Sequence, residues 1–284
     1  MAIISSKAHI RQVLSTFNGI VPFYKERGQF GHHVINWFRR TVEHETGLMS
    51  KKIGLHFRCT YPIEPFGAGV ILVGFGGQSR HLKYQRYLPM KYEVVAELGK
   101  LTDSYSVLGK LLDQKQYDFV TVDQIEKVCR KMKGEIQLTT PKPFREPEME
   151  PYEDERRIKY EIQQRFQQRR EGLAEQRFPR LCHMESIELV DFCSPYVKLR
   201  VDCQGSCFVR SLVHELGLRL GTFAMTLDLE RLSIENFDEN VCLKKSDVYW
   251  EYIQPKARWC SHEFIKSVKR FQEEDPLPLN YRIL

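Results

Sequence analysis

Tyr61-Pro62-Ile63-Glu64-Pro65-Phe66-Gly67-Ala68-Gly69-Val70-Ile71-Leu72-Val73-Gly74-Phe75-Gly76 is the stretch on which the fold of this chain turns. A carboxylate, Glu64, sits in a Pro-bounded Ile-Glu-Pro loop. Small residues follow, and then an uninterrupted apolar run, Val70 to Phe75, with the length and character of a buried strand. Gly74 and Gly76 close it. An acid on a tight loop beside a buried strand is rigidly mounted, which suits a catalytic or ligand-fixing group.

Working outward, Gly19 to Tyr24 reads as a preceding strand with a turn at Lys25–Gly28. His32 to Val42 reads as a helix carrying Val34, Ile35, Trp37 and Phe38. Residues 76–86 read as a basic helix with Arg80, His81, Lys83 and Arg86. Lys91 to Leu98 alternates as a strand closed by Gly99. Thr102-Asp103-Ser104 opens a loop in which Asp103 is a cap. Thr121 is an N-cap for a helix running toward Gly134. Met184 to Phe192 and Tyr196 to Cys203 are adjacent strands joined at Cys193-Ser194-Pro195. Phe208 to Leu220 is a helix with Leu212, Leu216 and Leu220 on one face, stopped by Gly221. Thr222 to Ile234 is strand-like, and a last helix begins near Ser246. This mixture without strict βαβ alternation predicts an α+β fold with a central mixed or antiparallel sheet flanked by helices.

The chain has 284 residues and 42% hydrophobic residues, enough for one large core. No apolar run approaches the roughly 20 residues of a membrane-spanning helix. The net charge is +6. Six acids and no base fall in 146–155, which leaves +12 on the remainder, a balance that suits a polyanionic partner. Segment 139–155 holds four prolines and little periodic apolar signal, and a long charged helix from Arg156 to Phe178 follows it. We read 139–180 as a charged insertion, either a solvated excursion or a face for RNA or a protein partner. The eight cysteines (59, 129, 182, 193, 203, 207, 242 and 260) form no Cys-x-x-Cys pair, so reduced thiols in a reducing compartment are expected and no metal site is. The first 25 residues carry Lys7, Arg11, Lys25, three serines and no acid. That is the composition of a mitochondrial presequence, and equally of an ordinary first helix from Ala8 to Leu14 in a cytoplasmic or nuclear protein. The expected division is 1–18 as an N-terminal extension, 19–245 as the main domain, and 246–284 as a C-terminal helix and tail.

Three segments carry candidate chemistry: the Glu64 loop, Lys91-Tyr92 through Gly109, and Val201 to Gly217. A strand that turns through Gly205-Ser206 into a helix aims Arg210 at whatever sits above the turn, and a guanidinium there can hold a carboxylate ionised and oriented. These segments resemble the TruB family of pseudouridine synthases. The family's catalytic pattern, Gly-His-x-Gly-x-Leu-Asp-Pro-x-Ala-x-Gly-Val-Leu, is met in its second half by Ile63-Glu64-Pro65-Phe66-Gly67-Ala68-Gly69-Val70-Ile71. Lys91-Tyr92, Leu98-Gly99-Lys-Leu-Thr102-Asp103 to Gly109, Cys203 to Arg210 with Leu216-Gly217, and Leu229-Glu230-Arg231-Leu232 match its later elements. Gly19 to Lys25 and Gly28 echo its opening one.

The resemblance implies a uridine flipped from a structured RNA, transfer RNA above all, attacked by a carboxylate with no cofactor or metal. It assigns Glu64 and Arg210 as the catalytic pair, and Tyr92, Phe208, Lys25, Lys91 and Leu229 to substrate binding. It implies neither DNA nor membrane, and a chain that is a monomer on its own. The departures are Glu64 for the family's aspartate, Arg58-Cys59-Thr60-Tyr61 for Gly-His-x-Gly, Phe208 for a tyrosine, and Gly205 displaced by one. The Pro-Pro-x-x-Ser-Ala-x-Lys segment is absent. Little chain follows the core, so the appended RNA-binding module of many relatives is expected to be missing and a partner protein to compensate. Two readings follow: a synthase working alone, or a relative that keeps the fold and binds RNA or a ribonucleoprotein without chemistry.

Overall fold

The computed structural model describes residues 7–60, 63–139, 179–205 and 207–274. The expected insertion at 139–180, apart from its ends, and the tail beyond 274 lie outside the described residues. So do Tyr61, Pro62 and Ser206.

The apolar run Val70 to Phe75 lies in β3 (Ala68–Phe75), buried at every position. It lies between β1 (Gly19–Lys25), antiparallel to it, and β10 (Ala224–Ile234), parallel to it. The sheet continues through β4 (Pro89–Leu98), β9 (Tyr196–Gln204), β8 (Pro179–Cys193) and β7 (Gly134–Thr139), all antiparallel. β2 (Phe57–Cys59) adds to β3, and β11 (Phe237–Asp238) to β10. The sheet is therefore mixed, as the α+β reading requires. β5 (Lys100–Thr102) and β6 (Leu111–Gln114) make a separate hairpin.

Six α-helices are described: α1 (Lys7–Thr16), α2 (Gly31–Thr46), α3 (Ser50–Ile53), α4 (Val122–Lys131), α5 (Val209–Arg219) and α6 (Trp250–Glu274). Thr121 caps α4 as predicted. Its hydroxyl accepts from the Gln124 amide while the Gln124 side chain accepts from the Thr121 amide. α5 buries Leu212 and Leu216, and Leu220, which ends it, is buried beside them. α6 buries Ile253, Ala257, Cys260, Phe264 and Val268 and packs on β1, where Gly19 leaves room for Ala257 and the Ser261 hydroxyl accepts from the Ile20 amide. α1 packs Val13 and Phe17 against Val42 and Leu55, and Phe17 stacks at 4.0 Å on Trp250 of α6.

One local expectation is sharpened and one changes. Residues 76–87 are helical, as expected, and the helix is of the 3-10 kind. Three of its four buried residues, Ser79, Leu82 and Gln85, recur every third position, which is the period of the tighter helix; Tyr84 is the fourth. The last helix starts at Trp250, because the Asp247 carboxylate accepts from the Lys244 amide and closes a short turn at Lys245–Asp247 first. β2, β5, β6 and β7 were not foreseen. β2 and β5 are three residues long and β6 is four, too short to show an alternation.

Candidate active site

β3 parallel to β10 and β10 antiparallel to β4 bring the three candidate segments together at one end of the sheet. Arg231 is in register with Gly69 on one side and Tyr92 on the other. Gly69 has φ +121°, and a Cβ there would meet the Arg231 carbonyl oxygen at 2.2 Å, so only glycine lets the Glu64 loop enter β3 against β10.

Glu64 and Arg210 meet. Arg210 Nη2 lies 2.6 Å from Glu64 Oε1, with the arginine side chain 7% exposed and the glutamate 18%. The other edge of the guanidinium, Nη1, donates to the Ser104 carbonyl. A guanidinium fixed on two edges holds the carboxylate in one orientation while leaving it partly open to solvent.

The backbone of the Glu64 loop is gripped from beneath. Lys25 Nζ donates to the carbonyls of Gly67 (2.6 Å), Glu64 (3.2 Å) and Glu26 (3.2 Å). The Gly28 amide donates to the Pro65 carbonyl at 2.7 Å, and the Gly67 amide closes the turn on the Glu64 carbonyl. Lys25 is wholly buried, so it reaches the site as a support of the loop and not as a surface contact for RNA. Burial pulls its pKa down to about 8, the Glu64 charge opposes that, and Arg27 and Arg231 reinforce it. In the unfolded chain the same lysine keeps its proton to about pH 10.5. Between those values the unfolded state binds the extra proton, so this group adds stability as pH rises from 8. Wild type is therefore expected to gain on Lys25→Met by about 3 kcal/mol between pH 8 and 10.5, measured by chemical denaturation of both proteins across that window.

Tyr92 lies across from Arg231, 4% exposed. Its hydroxyl accepts from Arg231 Nε at 3.0 Å and donates to Met90 Sδ at 3.2 Å, and the Arg231 guanidinium stands 5.3 Å from its ring centre. Burial pushes the Tyr92 pKa up to about 12 against the pull of Arg231. Leu229 packs beside the loop, where its carbonyl and Cβ leave no room for a side chain at position 67. Phe208 is the half-buried residue before α5. Lys91 is not brought to the site. It alternates with Tyr92 onto the other side of β4, exposed and 3.7 Å from Asp202. Asp103 caps its loop, accepting from the Lys110 amide at 2.9 Å. Among the described residues, no three His, Cys, Asp or Glu side chains gather as a metal-binding group.

Sequence reasoning missed Arg231 as the partner of Tyr92. The Leu-x-Arg pattern was visible, but only register places its arginine on that ring. The Ser104 carbonyl on Arg210 was missed as well, because a backbone acceptor has no signature in residue type.

This sheet, with a carboxylate loop entering one strand and an arginine from a following helix closing on it, defines a chain of the pseudouridine synthase fold. The archaeal box H/ACA sRNP Nop10–Cbf5 complex superimposes with a TM-score of 0.53 at 19% identity, over 91% of this chain and 60% of that one. A Cbf5–Nop10–Gar1 complex gives 0.55 at 19%, over 91% and 61%. Residues 50–144 match the model of the TruB family pseudouridylate synthase N-terminal domain. Pseudouridylate synthase TRUB1 of Mus musculus is 25% identical over 99% of this chain and 78% of its own length. tRNA pseudouridine synthase B of Dehalococcoides mccartyi is 28% identical over 66% of this chain, which spans only 58% of that enzyme. By these matches the chain is similar to the TruB family of pseudouridine synthases, whose N-terminal domain model covers its residues 50–144.

Proposed function

We propose that this chain isomerises uridine to pseudouridine in a structured RNA, with Glu64 as the attacking carboxylate and Arg210 orienting it. The observation that carries the reading is the 2.6 Å contact between Arg210 and a Glu64 carboxylate still partly open to solvent. The reaction needs no co-reactant: the N1–C1′ bond breaks, a C5–C1′ bond forms, and the proton lost from C5 is balanced by one gained at N1. In this reading the longer glutamate serves where the family pattern carries aspartate, on a loop whose backbone is held by Lys25 and Gly28.

Charge supports RNA as the substrate. From Thr46 to Tyr92 the only carboxylate is Glu64, among seven lysines and arginines. β2 packs against the 3-10 segment, so exposed Arg58, Arg80 and Lys83 belong to one ledge. The end of that segment, at Gln85 and Leu88, packs on Gly205 in the turn leading to Arg210. His81 has its pKa lowered chiefly by burial, with smaller contributions from the Arg80 and Lys83 charges beside it. We expect Arg80→Glu with Lys83→Glu to weaken RNA binding about tenfold or more. The slope of log K against log salt should fall by about one per lost phosphate contact in filter binding. Unchanged binding and slope would move the substrate to another face.

Transfer RNA is the substrate class we propose, from the names of the TruB relatives, and action as a monomer is part of the same proposal. The test is incubation of the purified chain with transcribed transfer RNA and mapping of pseudouridine. Product formation supports the reading. Tight, salt-sensitive binding without product would leave an RNA-binding relative that has lost the chemistry.

A further inference from the structure

We propose that Tyr105 and His214 form a positioning device for Arg210, and so act on Glu64 through it. The kinetic part of this inference rests on the function proposed above; the structural part does not.

Arg210 is fixed on one edge by Glu64 and on the other by the Ser104 carbonyl. That carbonyl is aimed by an unusual turn. Tyr105 follows it with φ +58°, a left-handed conformation rare for a bulky side chain and ordinarily filled by glycine or asparagine. A tyrosine kept there needs a compensating contact. It has one: its ring lies 3.9 Å from the His214 ring at an interplanar angle of 6°. His214 is four residues after Arg210 on α5, so ring platform and guanidinium share one face of the same helix. Tyr105 is 6% exposed.

The rest of the loop is held as firmly. The Thr102 hydroxyl donates to the Ser106 carbonyl and accepts from the Ser106 amide, both at 2.9 Å. The Val107 amide donates to the Thr226 carbonyl at 2.8 Å, and the Thr226 amide to the Tyr105 carbonyl at 3.0 Å. The loop is thus anchored to β10 behind and to α5 in front. The anchor on α5 is the Tyr105–His214 stack, beside the arginine it would align. Without the ring, the turn at 105 keeps its backbone hydrogen bonds to Thr102 and β10 but loses its stacking contact with α5, which lets the Ser104 carbonyl and the guanidinium shift relative to Glu64.

The variants are Tyr105→Gly, which suits the backbone but removes the ring, and His214→Ala. Tyr105→Phe and His214→Phe keep both rings. In steady-state assays of the full chain on transcribed transfer RNA, Tyr105→Gly and His214→Ala should each lower kcat about tenfold, as a displacement of well under 1 Å would. KM should stay within about twofold, and both Phe variants within about twofold of wild type in kcat. The double variant Tyr105→Gly/His214→Ala should be no slower than the slower single one, since the two residues form one contact. A loss of thermal stability with kcat unchanged would make the stack merely structural and overturn the proposal, as would multiplying effects. A second measurement works without turnover: phenylglyoxal modification of Arg210, followed by peptide mass spectrometry. Modification should be several-fold faster in Tyr105→Gly and His214→Ala than in wild type or the Phe variants. Equal rates would overturn the device even in an active enzyme. Different rates in a chain that makes no pseudouridine would keep the device and sink the proposed function.

Discussion

Glu64→Ala is expected to abolish pseudouridine formation, by more than about 10³-fold, while RNA binding stays within severalfold of wild type. The carboxylate would be the attacking group, and neither the Arg80–Lys83 ledge nor Arg231 depends on it. Removing it leaves the 7% exposed Arg210 without its anion, so Glu64→Gln is the companion variant. It keeps the volume and an acceptor for Arg210 and should be equally inactive while better folded. Glu64→Asp decides between two views of the longer side chain. The loop is held by Lys25 on the carbonyls of Glu64 and Gly67 and by the Gly28 amide on that of Pro65, so its backbone cannot readily advance. A side chain one methylene shorter then stops about 1 Å short, and a loss of about 10²-fold is expected. Pseudouridine mapping at single-turnover conditions reads all three. A fully active Glu64→Ala would remove Glu64 from the chemistry outright.

Arg210→Lys should cost nearly as much activity as losing the acid, although it keeps the charge. One ammonium cannot bridge the Ser104 carbonyl and the Glu64 carboxylate from the two edges that the planar guanidinium offers. Activity should fall about 10²-fold or more, with RNA affinity little changed, because Arg210 is buried and faces Glu64. Arg210→Ala adds a folding cost. Glu64 would remain largely buried with its ion-pair partner gone, a loss of about 3 kcal/mol, and the thermal midpoint should fall roughly 6–12 °C. Scanning calorimetry on Arg210→Ala and on Arg210→Ala/Glu64→Ala separates the causes. If the stranded charge is responsible, removing the glutamate restores part of the midpoint. A double variant less stable than Arg210→Ala would put the cost in lost packing instead.

Much of the fold was legible because its signals are local. The unbroken apolar run 70–75, closed by glycines, reads as a buried strand, and β3 is one. The Thr121 cap, the leucine face of α5 and the hairpin at Cys193–Pro195 each follow from spacing and turn chemistry within a few residues. Charge and polarity mark residues 76–86 as a basic helix without setting its period; the burial of Ser79, Leu82 and Gln85 does that. Short strands such as β2 exist only because β3 offers them an edge.

The sequence by itself determined which side chains could do chemistry: a loop-mounted Glu64, an arginine at the head of α5, and a tyrosine on a neighbouring strand. It did so because motif, turn and strand pattern are properties of contiguous residues. The tertiary structure alone decided how those side chains are used. Lys25 became a buried support of the loop backbone, Lys91 was turned to the other side of β4, and Arg231 was set on Tyr92 by a register between strands more than a hundred residues apart. Arg210 found its second partner in a backbone carbonyl whose direction depends on the left-handed Tyr105 and its stacking on His214. Register, burial and carbonyl direction arise between distant segments, and only the packed sheet brings those segments together.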